Sequence, residues 1–190
     1  MERIGLLAGT FNPPTTAHEM LGVTAYKELG LSRLFMAPNK RSPHKPDIGP
    51  GYEARKKMCQ VICQKHDNWK VLTWPHTGSS YTVDALKQLQ EIYPDSELWF
   101  ICGGDSMKIL DKWERINELL KIAQVAFYPR GKEKIVIPDL PGLRYQELEI
   151  KERSFLSSTL VRELIIKGKD TTDYLEDDVA ALITSHGWYQ

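Results

Sequence analysis

IGLLAGTFNPPTTAH, residues 4–18, decides how the rest of the chain is read. Residues 4–8 form an apolar run too short for a surface helix and closed by Gly9, which is the signature of a buried strand. Gly9 is expected to let the backbone turn sharply and to leave room for a ligand, while Pro13 and Pro14 stiffen the loop that follows. Thr16 and Glu19 have the spacing of a capping box, which predicts a helix from Ala17 with His18 in its first turn. The first amides of a helix are unpaired donors at the positive end of its dipole, suited to phosphate oxygens, and an imidazole there adds one more donor. A helix cap explains Thr16 and Glu19 equally well without any ligand, so the stretch alone supports both a phosphate site and a plain strand-to-helix turn. The dinucleotide fingerprint GxGxxG and the phosphate loop GxxxxGK[ST] are both absent.

The same alternation continues outward. Further strands are predicted at 34–37, 69–72, 97–102, 124–128 and 145–149, with ELWFIC the best central strand. Between them, Ala17, Leu21, Ala25 and Leu29 recur at four-residue steps, and Val83, Leu86, Leu89 and Tyr93 at mixed three- and four-residue steps. Each set lays one apolar stripe on a sheet. Leu160, Val161, Leu164 and Ile165 define another amphipathic helix closed by Gly168, and Val179, Leu182 and Ile183 a last one before HGWY. This is the pattern of an α/β protein with a mainly parallel sheet. The Pro- and Gly-rich segments 38–51 and 129–142 read as surface loops, and no repeat or long linker interrupts the chain.

A length of 190 residues fits one domain, 1–190, with a small helical part at about 155–190. Lys plus Arg equals Asp plus Glu at 25 each, so no overall field points to nucleic acid, and anion recognition must be local. Cys59, Cys63 and Cys102 make no disulfide framework, and no apolar run is long enough for a membrane span or a signal-peptide core. A soluble cytoplasmic protein is expected. Cys59, Cys63 and His66 at helical spacing offer three soft ligands for zinc without an evident fourth, and buried free cysteines explain them as well. His76 and His186 have no motif around them and are assigned surface or packing roles.

Far downstream, FLSSTLVRE places Ser157, Ser158 and Thr159 at a helix start, with Arg162 expected in its first turn, where a cation opposes the dipole unless an anion lies nearby. Two helix starts rich in hydroxyls, each with one donor or cationic side chain, fit one polyphosphate held between them.

GTFNPPTTAH and SSTLVR resemble the two signature segments of the nucleotidyltransferase superfamily usually written HxGH and ISSTxxR. PNKRSPHK, SYTVDALKQL, GGDSMKILDKW and the closing HGWY extend the resemblance, over almost the whole chain, to the bacterial nicotinate-nucleotide adenylyltransferases. Thr15 stands where the first histidine of HxGH is expected and Ala17 where its glycine is; threonine still offers a donor to phosphate, and Leu156 replaces the isoleucine before SST. The resemblance implies a doubly wound, Rossmann-like nucleotidyltransferase fold and the reaction of nicotinate mononucleotide with ATP, with Mg²⁺, to give deamido-NAD and pyrophosphate.

It also implies roles. His18, Arg162 and Lys45 are expected to carry catalysis. Gly9, Thr10, Phe11, Thr15, His18, Gly103, Asp105, Ser157, Ser158, Thr159 and Arg162 are expected to bind ATP. Asn39, His44 and Lys45 would grip the phosphate of the mononucleotide, and Tyr81, Thr82 and Trp113 its pyridine ring. Arg130 joins this group, although YPRG stands where relatives often carry RPG. No protein ligand to a metal is assigned. Two other readings stay open: a pantetheine-phosphate adenylyltransferase, and a nucleotide-binding regulator without turnover, the latter motivated by Thr15 and Ala17. A homo-oligomer is compatible with the sequence.

Overall fold

The central apolar runs become strands because helices cover both of their faces. The computed structural model describes residues 1–40, 49–74, 81–129, 134–149 and 157–190. The strands are β1 Arg3–Gly9, β2 Arg33–Pro38, β3 Trp69–Val71, β4 Glu97–Gly103, β5 Ala123–Tyr128 and β6 Tyr145–Glu147. The helices are α1 Thr16–Glu28, α2 Tyr52–Cys63, α3 Thr82–Ile92, α4 Gly104–Lys108, α5 Ile116–Ile122, α6 Ser158–Ile166 and α7 Asp177–His186. Among the described residues the six strands form one sheet in the order β3-β2-β1-β4-β5-β6, every pair parallel.

Alternation along the strands divides the core in two. Leu7, Ile101 and Ala126 pack with Leu21, Ala25, Met58, Ile62, Val161 and Val179, so α1, α2, α6 and α7 share one face. Ile4, Leu6, Phe100 and Val125 pack with Leu86, Leu89 and Leu119 on the other, under α3 and α5. The predicted stripe Ala17–Leu21–Ala25–Leu29 is buried, as are Val83, Leu86 and Leu89 of the second, whose Tyr93 is half-buried at the C-cap of α3. In α6 it is Val161 that is fully buried, whereas Leu160 is 40% exposed. The segment after β5 is more than the expected surface loop, because Ile135 enters the core and its side chain lies where a Cβ on Gly104 would be, 2.8 Å away.

The chain reverses its order of winding between β1 and β4, and their ladder stops early. It ends at Leu7↔Ile101, while β1 stays paired with β2 to Gly9↔Pro38 and β4 with β5 to Gly103↔Tyr128. The carboxyl ends of the two central strands therefore part, and a crevice at such a switch point is where open α/β sheets take their ligands.

Candidate active site

Gly9 ends β1 on one lip of this crevice. The sharp turn expected of it is made instead at Phe11, whose φ is +48°, and a Cβ on Gly9 would stand a tight 3.2 Å from the Phe11 ring. A buried phenylalanine in left-handed backbone is strained by roughly 1–3 kcal/mol, and such strain is kept where the surroundings over-determine it.

Those surroundings hold the loop by its carbonyls. Gly9 O accepts from Asn39 N–H at 2.8 Å, and Thr10 O from Arg55 Nη1 at 2.6 Å. Asn12 O accepts from Arg162 Nη1 at 2.7 Å, and Pro13 O from Ser158 Oγ at 2.8 Å. Carbonyl and N–H point opposite ways across a trans peptide. Turning the oxygens of Gly9 and Thr10 toward the scaffold therefore turns the N–H groups of Thr10 and Phe11 the other way, which is what a cradle for phosphate oxygens needs.

The helix cap differs from the expectation. α1 begins at Thr16 with Thr15 as its N-cap, and His18, not Glu19, completes the capping box. Thr15 N–H donates to His18 Nδ1 at 3.0 Å, and Thr15 Oγ1 lies 2.8 Å from the same nitrogen. With Nδ1 engaged as an acceptor, the neutral imidazole carries its proton on Nε2, the nitrogen that can donate to an anion. The ring is also held edge-on by Phe11, centroids 5.1 Å apart at 75°. Glu19 turns instead to His66 Nε2 at 2.7 Å, in a cluster where burial pushes its carboxyl up and Lys65 holds Glu176 down.

Across the loop, α6 starts as predicted, with Ser157 Oγ accepting from Leu160 N–H at 3.2 Å. Arg162 is its fifth residue, past the first turn where it was expected, and its Nη2 also donates to Thr159 Oγ1 at 3.2 Å. The two distant signature segments thus meet directly. Tyr189 completes the clasp: its hydroxyl donates to Asn12 Oδ1 at 2.5 Å, and burial pushes the phenol up, keeping it a donor. Asn12, Arg55 and Tyr189 were not singled out from the sequence. Arg55 leaves a trace there, since it shares the i, i+3, i+4, i+7 stripe with Met58, Cys59 and Ile62 and so places a cation on a buried face.

On the other lip, Gly103 ends β4 and is the N-cap of α4, with Asp105 exposed in its first turn. Tyr81 caps α3 ahead of Thr82, and its hydroxyl donates to Glu114, the neighbour of Trp113. That bond brings the SYTVD and LDKW segments together. Trp113 is half-buried against Phe100, centroids 5.4 Å apart. Arg115, at φ +63°, ties Asp84 of α3 to Glu118 of α5 at 2.8 Å each. His44, Lys45, His76, Arg130 and Leu156 lie outside the described residues. Cys59 and Cys63 are buried free thiols, and among the described residues no group of His, Cys, Asp and Glu gathers as a metal cage. His186 is exposed and stacks on Trp188.

Residues 6–164 match the cytidylyltransferase-like family. The nicotinate-nucleotide adenylyltransferase of Bacillus subtilis (strain 168) is 30% identical to this chain, with all of both chains covered. Among solved structures, Plasmodium falciparum nicotinic acid mononucleotide adenylyltransferase complexed with NaAD has a TM-score of 0.82 at 20% identity, covering 100% of this chain and 98% of that one. The same protein complexed with APC gives 0.79. At that identity the structures speak to the fold, and the fold is theirs. A matched span that runs from β1 into α6, taking in both lips of the crevice, and likeness to a curated relative from end to end make this chain a member of the cytidylyltransferase-like family, among its nicotinate-nucleotide adenylyltransferases.

Proposed function

We propose that this protein transfers the adenylyl group of ATP to nicotinate mononucleotide, releasing pyrophosphate and forming deamido-NAD. The observation that carries the reading is the clasp of Ser158 and Arg162 on Pro13 and Asn12, segments about 150 residues apart, at the parted ends of β1 and β4. The full-length likeness to nicotinate-nucleotide adenylyltransferases supplies the acceptor.

An oxygen of the mononucleotide phosphate, ionised at neutral pH, attacks the α-phosphorus of ATP in line. The bond from that phosphorus to the bridging oxygen of the β-phosphate breaks, and pyrophosphate leaves with the electron pair. No proton has to be removed, so positioning and charge stabilisation carry the rate. His18 Nε2 and the N–H groups of Thr10 and Phe11 are the donors toward the phosphates beside Thr15. The start of α6, with Ser157, Ser158 and Thr159, holds the far end of the triphosphate, and Arg162 is the counter-charge to pyrophosphate. Gly103 and Asp105 face the nucleotide sugar. Asn39, with His44 and Lys45 beyond it, takes the phosphate of the acceptor; Tyr81, Thr82 and Trp113 take its ring, and Arg130 is assigned to the same end.

The donor set suits ATP that brings its own Mg²⁺, since the loop offers donors and a guanidinium while the described residues gather no carboxylate cage. Brought in with ATP, such an ion would supply positive charge to offset that of departing pyrophosphate. The three cysteines of the chain are free, buried thiols, which supports a reducing cytoplasm as the place of reaction. No helix among the described residues is long and apolar enough to cross a membrane.

Pyrophosphate release from MgATP, measured with nicotinate mononucleotide, its amide and pantetheine phosphate side by side, tests the reading. Fastest turnover with the acid, with equimolar deamido-NAD, is expected. Faster turnover of pantetheine phosphate, or binding of ATP without any turnover, would replace it with one of the two rival readings.

A further inference from the structure

We infer that Arg55 is a positioning residue that locks the ATP loop and the acceptor loop into one register; the inference rests on the function proposed above. Arg55 is only 4% exposed, a charge taken almost wholly out of water. Burying a guanidinium is costly unless its donors are satisfied, and here they are spent on main-chain carbonyls of two different loops. Nη1 donates to Thr10 O at 2.6 Å, in the loop after β1. Nη2 donates to Asn39 O at 2.6 Å and to Lys40 O at 3.2 Å, in the loop after β2. The end of β1 is also joined to the loop after β2 by Asn39 N–H on Gly9 O, so the guanidinium closes a ring through both loops.

Each carbonyl drawn toward Arg55 turns the next N–H away from it, Phe11 N–H on the ATP side and Lys40 N–H on the acceptor side. The planar fork fixes both directions at once. A lysine in its place would keep the charge but, as a single flexible point donor, would not reach both loops with fixed geometry. Core packing alone does not call for a cation here, because Met58, Cys59 and Ile62 already fill the same stripe of α2. In-line transfer needs the two phosphates held together to within a fraction of an ångström, so loss of the fork should be felt with both substrates.

The test compares wild type, Arg55→Lys and Arg55→Met for thermal midpoint, for kcat and KM with each substrate, and for binding of a non-hydrolysable ATP analogue by calorimetry. Both variants are expected to melt cooperatively, with kcat/KM for ATP and for nicotinate mononucleotide each reduced on the order of tenfold or more, as for lost hydrogen bonds to a charged group. Arg55→Ala should regain part of its activity with added methylguanidinium and none with methylammonium. Kinetic constants within twofold of wild type in Arg55→Lys, or a loss confined to one substrate, would overturn the inference. So would a loss of activity in Arg55→Met that matches its unfolded fraction while Arg55→Lys stays active. A wild-type enzyme without turnover would instead refute the proposed function, and analogue affinity in wild type and Arg55→Lys would then decide the role of Arg55, equal affinity overturning it.

Discussion

Thr15 shows what one exchange in a signature motif does. A histidine in its place would bring a second imidazole to the loop; the threonine instead caps α1 and sets its hydroxyl 2.8 Å from His18 Nδ1, beside the main-chain N–H that donates to the same nitrogen. His18→Ala is expected to lower kcat by about a hundredfold to a thousandfold, as for loss of a transition-state donor, well beyond what the roughly 1 kcal/mol of stability lost with its half of the capping box would cause. Thr15→Val keeps the shape but removes the fully buried hydroxyl, and should lower activity by about tenfold and stability by about 1 kcal/mol through the lost cap. Steady-state rates and melting curves on the two variants check both; a Thr15→Val enzyme as active as wild type would refute a role for the Thr15 hydroxyl in holding His18. The cysteines yield a pH prediction. Burial pushes the Cys63 and Cys102 thiols up to about 12. In the unfolded chain a thiol ionises near pH 8.5, so this contribution to stability is complete below about pH 8.5 and is lost as pH rises toward 12. The urea midpoint should therefore fall through that window, and alkylation at pH 8 should label the thiols only after unfolding.

At the scale of elements, a close approach between helix and sheet edge rests on a missing side chain. A Cβ on Gly22 of α1 would drive into the ring of Trp69, the first residue of β3, so α1 can lie against the sheet edge only with glycine there. Trp69 is in turn stacked on His66, centroids 4.1 Å apart. Gly22→Ala should cost about 1–3 kcal/mol by overpacking and lower the melting temperature by several degrees. An unchanged melting curve would mean that α1 and β3 adjust without strain. The capping box illustrates how element boundaries escape a one-dimensional reading. Thr15 and Thr16 are both good caps; Thr15 takes the position, and the N–H of Thr16, unpaired within the helix, goes to Tyr174 O at 3.1 Å, a partner 158 residues away.

For the whole molecule, the C-terminal part belongs to the same core as the sheet: Val161, Leu175, Val179 and Ile183 pack with Leu7 and Leu21, and Tyr189 reaches Asn12. We propose on that basis that residues 1–190 fold as one domain. Calorimetry should show a single transition that coincides with loss of tryptophan fluorescence, and two separated transitions would refute it. Because MgATP would bridge α1 and α6, it should stabilise the whole chain by about 2.7 kcal/mol at a hundred times its dissociation constant, with one transition moving upward.

What the chain determined by itself was the local pattern. Six runs at strand length, helical stripes at three- and four-residue steps, and the left-handed Gly168 that closes α6 all stand where periodicity and turn chemistry put them, because these preferences act between near neighbours. The strands and the start of α6 were legible for that reason, whereas α1 starts one residue earlier than its spacing predicts and takes a different capping partner. Only the tertiary structure decided that Arg162 spends a donor on Asn12, that Phe11 rather than Gly9 makes the turn, and that Arg55 and Tyr189 brace the loop at all. Carbonyl directions and the partners of a buried cation are set by groups brought together across tens of residues, and no spacing in one segment encodes what will be packed against it.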